Sequence, residues 1–213
     1  MKARHLFPAL HLSLIAIGTA AVFYTPVSAA HEAGDFLVKG GVTLVSPKSN
    51  NGTVADGTVK LDVGNNVRPS FSLTYMATRN IGVELLGAFP FKHNIDSNLG
   101  RIGSTKHLPP TLSLQYHFLP ESDFQPYVGV GLNYTMFFDT KSQGALEGAD
   151  LKLKNSWGFA AQVGVDYKLD KNWFLNADVR YISIRPDVKL NGQSIGKAKL
   201  DPVVATIGVG YRF

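Results

Sequence analysis

The sequence predicts an all-β protein, an eight-stranded antiparallel transmembrane β-barrel with short periplasmic turns and long extracellular loops. Eight segments alternate apolar and polar residues with a period of two, which is the pattern of strands with one apolar face. The connections between them alternate between short and long, as in outer-membrane barrels. Aromatic residues gather near the segment ends, where both interfaces of a bilayer favour them. A soluble barrel with an aromatic core is the alternative.

The start of the chain has the pattern of a secretory signal peptide. Lys2 and Arg4 supply a positive start, a largely apolar stretch follows, and small residues precede a cleavage site after Ala30. A retained membrane anchor is the alternative, which a proline inside the apolar stretch disfavours. We therefore expect residues 1–30 to be cleaved and residues 31–213 to form a single outer-membrane barrel domain.

Composition narrows the class of protein further. Charged residues make up 17% of the chain, whereas soluble domains average about 25%. Cysteine is absent, so disulfides and thiolate metal sites are excluded. The net charge of +5 comes without a basic helix or a block of Lys and Arg, and we expect no nucleic-acid partner. No segment after the signal has 18 consecutive apolar residues, so strands rather than helices must cross the membrane.

The eight segments each have a length that suits a bilayer, since about ten tilted residues cross its hydrocarbon core. They are Phe36–Ser46, Val67–Met76, Ile81–Lys92, Leu108–Phe118, Tyr127–Phe138, Lys154–Tyr167, Trp173–Ile184 and Val203–Phe213. Their lipid-facing sets are, in order, Phe36, Val38, Val42 and Leu44; Phe71, Leu73 and Tyr75; Val83, Leu85, Phe89 and Phe91; Leu112, Leu114, Tyr116 and Phe118; Val128, Val130, Leu132, Tyr134, Met136 and Phe138; Trp157, Phe159, Ala161, Val163, Val165 and Tyr167; Trp173, Leu175, Ala177, Val179 and Tyr181; Val203, Ala205, Ile207, Val209, Tyr211 and Phe213.

The connections support this order of strands. The short ones are Ala77–Asn80, Leu119–Gln125 and Lys168–Asn172. The long ones are rich in Gly, Ser, Asn and Lys, and lie around Pro47–Asn66, His93–His107, Asp139–Leu153 and Arg185–Lys199. Eight strands with both termini in the periplasm reproduce this alternation.

Six charged residues share the face opposite the apolar stripe, and they are expected to point into the lumen. They are Lys39, Glu84, Asp166, Asp178, Arg180 and Arg212. Facing lipid at mid-depth, a Lys or Arg would cost about 2–4 kcal/mol, and an Asp or Glu somewhat less. They could line a polar or gated path, or form a buried ion-pair network that fills the barrel. We favour the network, because charges inside a narrow barrel must be paired.

Four apolar residues also fall on the lumen face, namely Leu86, Phe137, Phe174 and Ile182. They could line a tunnel for apolar small molecules. They could equally fill the interior, because an eight-stranded barrel is barely wide enough for its own side chains. The alternation of faces alone does not decide between these readings.

The last segment carries a distinctive ending. Gly208, Tyr211 and Phe213 fit the spacing polar-x-Gly-x-x-aromatic-x-aromatic, which resembles the outer-membrane assembly signal. We therefore expect the barrel assembly machinery to be a partner. The same segment must pair with Phe36–Ser46 to close the barrel and remove both strand edges.

Short blocks along nearly the whole mature chain match one family in order. They are His31–Phe36, Thr74–Thr78, Asn80–Leu86, Pro90–His93, His107–Leu112, Pro126–Thr135, Phe137–Asp139, Ser156–Gly158, Gln162–Tyr167 and Gly210–Phe213. With these blocks the chain resembles the OmpW/AlkL family of small outer-membrane proteins. The parts of the long loops at Ser49–Asp62 and Gly192–Lys199 match poorly.

The resemblance implies an outer-membrane channel of a Gram-negative bacterium for passive uptake of small hydrophobic molecules. It also implies contact with outer-membrane lipid and lipopolysaccharide, and a lateral exit into the membrane. Pro109 and Pro110 could mark that lateral opening, because proline donates no ladder hydrogen bond. A simple kink at the start of the strand is the alternative.

Other functions have weaker support. A barrel that binds lipopolysaccharide or a receptor through its cationic loops, without transport, is the main alternative. An enzyme is not predicted, because the chain lacks a Gly-x-Ser-x-Gly elbow and has no carboxylate close in sequence to Ser113 and His117 within their own segment. No cofactor is expected. No metal site is expected either, because His93, Asp96 and His107 lack a ligand spacing.

Overall fold

The computed structural model describes residues 31–213, so the expected signal peptide lies outside the described residues. Fifteen strands follow in chain order: β1 (Phe36–Ser46), β2 (Thr53–Val54), β3 (Val59–Val63), β4 (Asn66–Met76), β5 (Ile81–Ala88), β6 (Phe91–Ser97), β7 (Gly100–Leu108), β8 (Thr111–His117), β9 (Phe124–Ser142), β10 (Leu151–Leu153), β11 (Ser156–Lys168), β12 (Trp173–Ile182), β13 (Asp187–Leu190), β14 (Gln193–Lys197) and β15 (Val203–Arg212). A short 3₁₀ turn covers Gly144–Leu146. Between residues 31 and 213, no helix is long and apolar enough to cross a membrane.

Eight of the strands close into an antiparallel barrel, which confirms the predicted fold. The order around the ring is β1, β4, β5, β8, β9, β11, β12 and β15, and β15 returns to β1. The closing pairing runs from Leu37 opposite Arg212 to Ser46 opposite Val203. Closure gives every barrel strand a partner on both sides, which a lipid environment requires.

The barrel turns its apolar residues outward, as the alternation predicts. Trp157 and Ile207 are 72% and 75% exposed. On the opposite face of the same two strands, Ser156 and Val204 are buried. This arrangement is inverted relative to a soluble protein, where such large side chains form the core. The lipid-facing surface is thus built from one face of each strand.

Two predicted segments are shorter in the structure, because prolines interrupt them. The third ends as β5 at Ala88, and β6 begins after Pro90; the fourth begins only at Thr111, after Pro109 and Pro110. Parity with Phe89 predicts that Phe91 faces lipid, and this prediction is wrong. Phe91 is 1% exposed and points inward, because the break at Pro90 changes the alternation.

The long loops are not irregular, because they carry seven further strands. The C-terminal part of β9 pairs with β7, and the sheet continues through β6, β3 and β2, which extends one side of the barrel wall on the extracellular side. A separate three-stranded sheet consists of β10, β13 and β14. Asn191 and Gly192 connect β13 to β14, both with positive φ. An Asn-Gly pair is typical of a two-residue hairpin turn, so this hairpin has a local sequence signal. We call these strands the extracellular extension.

Candidate solute path and charged interior

A network of buried charges crosses the middle of the barrel. Arg180 on β12 donates a hydrogen bond of 2.7 Å from Nη2 to Oε1 of Glu84 on β5. These strands lie four positions apart in the ring of eight, so the pair joins opposite walls. Both side chains are 1% exposed. The lumen at this height is therefore bridged by an ion pair.

Three more charges belong to the same network. The Nζ atom of Lys39 lies 3.8 Å from Glu84 and 3.7 Å from Asp166, and Asp178 lies 3.8 Å from Arg180. We call Lys39, Glu84, Asp166, Asp178 and Arg180 the charge belt. Removing one partner of such a buried pair typically costs about 3–5 kcal/mol, because it leaves a desolvated charge.

The sixth predicted lumen charge lies apart from the belt. Arg212 is at the periplasmic end, where its Nη1 lies 3.5 Å from Oδ2 of Asp35. Its Nη2 donates to the carbonyl of Lys171 at 2.9 Å. It therefore links the end of the last strand to the segment before β1 and to the turn between β11 and β12.

The four predicted tunnel residues fall on opposite sides of the charge belt. Ile182 is buried in an apolar cluster on the extracellular side, and Phe137 packs against that cluster. Leu86 and Ile182 line a small space of about 20 Å³ beside Pro109. Phe174 instead packs with Leu37 and Met76 near the periplasmic end. A continuous apolar route through all four residues would have to cross the belt.

The extracellular extension encloses an apolar cavity of about 140 Å³. An apolar cavity of about 150 Å³ is large enough to hold a benzene-sized molecule. Its lining includes Leu61, Ile95, Ile102, Leu151, Val188 and Leu200. The sequence carries no local signal for this cavity, because its lining comes from all four long loops.

The barrel wall is interrupted beside the apolar cluster. The last pair between β5 and β8 is Leu86 with Thr111, and the next pair above it is Phe91 with His107. Residues 87–90 and 108–110 are therefore not paired with each other. Asn133 donates from Nδ2 to the carbonyls of Pro109 and Pro110, each at 3.1 Å. These bonds hold the proline carbonyls from inside the barrel.

Two stacked imidazoles border this interruption from the extracellular extension. His93 and His107 have ring centroids 4.9 Å apart, and His93 donates from Nδ1 to the Gly64 carbonyl at 2.6 Å. Burial lowers the pKa of His107 to about 3, and the neighbouring His93 adds to that effect. Burial also lowers the pKa of His93, against the opposing effect of the Gly64 carbonyl. Both rings are neutral at pH 7.

Known proteins share this architecture, in which apolar side chains face outward and charged side chains face the lumen. A family model described as the OmpW family matches residues 32–213. The chain belongs to the OmpW family. The resemblance carried by the sequence blocks is thereby confirmed.

Relatives and solved structures match most of the chain. Outer membrane protein W of Vibrio cholerae is 42% identical over 94% of this chain and 95% of its own length. The crystal structure of OprG from Pseudomonas aeruginosa superposes with a TM-score of 0.76 at 37% identity, covering 86% of this chain and 97% of OprG. The solid-state NMR structure of AlkL gives a TM-score of 0.67 at 30% identity, covering 99% and 97%. This OmpW-family chain is an outer-membrane β-barrel of a Gram-negative bacterium.

Proposed function

We propose that the protein admits small hydrophobic molecules through the outer membrane by passive diffusion. The observation that carries this proposal is the position of the charge belt relative to the wall interruption. The apolar interior begins in the extracellular cavity and ends at the charge belt. At that end, the strands on either side of Pro109 and Pro110 are not paired across the barrel wall. A solute would enter from outside and leave sideways into the membrane.

The lumen itself is a poor route for an apolar solute. Passing the belt would separate Arg180 from Glu84 and leave both charges without their partners in a desolvated interior. A lateral exit avoids this cost, because lipid is as apolar as the solute. In this proposal Leu86, Phe137 and Ile182 line the route, and Phe174 packs the periplasmic end instead.

The route needs no catalytic group, and we infer that the protein is not an enzyme. His93 and His107 are held neutral by burial, so they present rings of low polarity beside the passage. A neutral aromatic surface suits an apolar solute better than charged imidazolium would.

Surface binding through cationic loops has less support from the described residues. Several loop cations are already paired with loop carboxylates: Lys48 and Arg185 with Asp201, Arg101 with Asp96, Lys106 with Asp139, Lys152 with Asp150, and Lys197 with Asp187. These pairs reduce the free positive charge available to lipopolysaccharide phosphates. Outer-membrane lipid, lipopolysaccharide and the barrel assembly machinery remain the partners that we propose.

Uptake of toluene tests the proposal, because its size suits the extracellular cavity. Cells with an intact outer membrane would be compared with and without the protein at limiting toluene concentration. We expect faster toluene uptake with the protein. The uptake rate should rise in proportion to the toluene concentration, as passive diffusion requires. Equal uptake by both strains would contradict the proposed function.

A further inference from the structure

Three potential metal ligands meet at the periplasmic side of the charge belt. His31 precedes β1, His117 ends β8, and Asp166 lies near the end of β11. All three are buried, and their ligating atoms lie within 4.8 Å of one another. Nε2 of His31 is 3.3 Å from Oδ2 of Asp166. These three residues are far apart in the chain, so the sequence shows no ligand spacing between them. For that reason the sequence predicts no metal site here.

We propose that His31, His117 and Asp166 bind a divalent transition-metal ion such as zinc. Two imidazoles and one carboxylate, with a fourth position left for water, are a common ligand set for Zn²⁺. Zinc bonds of about 2.0–2.1 Å in a tetrahedron place neighbouring ligand atoms about 3.3 Å apart. The separation between His31 and Asp166 already has this value.

The surrounding residues orient the ligands. Asn176 donates from Nδ2 to Oδ1 of Asp166 at 2.7 Å, which leaves Oδ2 directed towards His31. The ring of His117 stacks on Tyr127 with centroids 4.9 Å apart. Ligand side chains in metal sites are usually fixed by second interactions of this kind. Nδ1 of His31 and Nδ1 of His117 have no hydrogen-bond partner among the described residues.

The charge of the neighbourhood also accommodates a cation. The charge belt contains two cations, Lys39 and Arg180, against three carboxylates, so carboxylates outnumber cations there. Lys39 lies close to Oδ2 of Asp166 and would oppose a metal there. Its Nζ is nearly as close to Glu84, at 3.8 Å against 3.7 Å, so it can shift towards Glu84 when the ion binds.

A small space adjoins two of the three ligands at the periplasmic end of the barrel. A space of about 10 Å³, lined by residues that include His31, Asp166 and Asn172, lies beside the exposed turn between β11 and β12. This is about the room that one water molecule needs. The site and the apolar route are on opposite sides of the belt, so metal binding is independent of the proposed transport.

A bound metal ion would connect the segment before β1, through His31, to His117 on β8 and Asp166 on β11. Because the ion binds only the folded barrel, it would raise the unfolding temperature, and the stabilisation would grow with the logarithm of the free zinc concentration relative to Kd. The role we assign to the ion is thus to close the periplasmic end of the barrel. A structural role of this kind has a readout that needs no transport measurement.

Zinc titration of the untagged chain 31–213, refolded in detergent micelles, tests this site. Calorimetry would give the stoichiometry and affinity for wild type, His117→Phe and His93→Phe. Phe keeps an aromatic ring on Tyr127 but removes the ligand, and His93 is a matched buried histidine outside the site. We expect one zinc per wild-type and His93→Phe barrel with a raised unfolding temperature, and binding at least tenfold weaker in His117→Phe.

Equal zinc affinity in wild type and His117→Phe would overturn the proposal, as would the absence of stoichiometric binding to wild type. Weak binding that is lost only in His93→Phe would also overturn it. If His117→Phe does not refold, His31→Gln replaces it, since His31 lies outside the barrel strands. The same tenfold loss is then expected, and unchanged affinity counts against the site.

Discussion

Arg180 and Glu84 join opposite walls of the barrel through a hydrogen bond of 2.7 Å, with both side chains almost fully buried. The pair lies between the apolar cluster on the extracellular side, which contains Ile182, and the small apolar cluster of Phe174, Leu37 and Met76 near the periplasmic end. Because the wall is unpaired beside the extracellular cluster, the pair also separates the proposed solute route from the periplasm. The two residues are thus central to both the stability and the proposed permeability of the barrel.

Breaking the pair from one side is expected to be strongly destabilising. Glu84→Gln leaves Arg180 buried without its main partner, and we expect a loss of about 3–5 kcal/mol in the free energy of unfolding. Adding Arg180→Met removes the stranded charge, so the double variant should cost several kcal/mol less than the sum of both single variants. Urea unfolding in lipid vesicles measures these values. Strict additivity would show that the two charges are not coupled.

Ion conductance, measured together with toluene uptake, distinguishes passage through the lumen from passage through the lateral route. Glu84→Ala combined with Arg180→Ala removes the bridge and should admit water, so we expect a clear rise in single-channel conductance over wild type in planar bilayers. Toluene uptake should stay near the wild-type level, because the solute does not use the lumen. A parallel rise of uptake with conductance would place the solute in the lumen instead.

The fold was predictable because lipid imposes a strict alternation on every barrel strand. Val203–Phe213 shows this most clearly: its residues alternate between lipid and lumen, and the structure pairs it with β1 as closure demands. The failure at Phe91 has a local cause. Alternation cannot be carried through Phe89 and Pro90, where the strand breaks and restarts with its faces exchanged.

The sites were harder to predict, because they depend on contacts between distant strands. Alternation indicates that Glu84 and Arg180 both point inward, but their pairing depends on the register of strands on opposite walls. Asn133, which holds the proline carbonyls, looks like any polar lumen residue in the sequence. His31 and Asp166 are 135 positions apart, and only the closed barrel brings them together.

Stability should fall as the pH is lowered, through His107. Its pKa is about 3 in the folded barrel and about 6.5 in the unfolded chain. Below pH 6.5 the unfolded chain therefore binds more protons, and the folded state loses stability as the pH falls. Between pH 7 and pH 5 we expect a loss of about 2 kcal/mol from this residue. His107→Phe should remove that part of the pH dependence, and equal slopes for both proteins would contradict it.

Deletion of Phe213 should impair assembly. Its backbone N–H donates to the Phe36 carbonyl at 2.9 Å, and its ring lies 4.6 Å from that of Tyr211, at the seam that closes the barrel. We expect less folded protein in the outer membrane, with normal toluene uptake per folded barrel. Heat-modifiable mobility on gels measures the folded fraction. A normal folded fraction would count against the proposed role of Gly208, Tyr211 and Phe213 as the assembly ending.

Filling the wall interruption tests the lateral route most directly. Ala88 lines the small space beside Pro109, whereas Ala177 faces outward in the middle of β12. Ala88→Phe and Ala177→Phe therefore add the same side chain, inside the proposed exit and away from it. At equal folded amounts, we predict that Ala88→Phe lowers toluene uptake to the level of cells without the protein, while Ala177→Phe keeps the wild-type rate. Wild-type uptake by Ala88→Phe would contradict the lateral route.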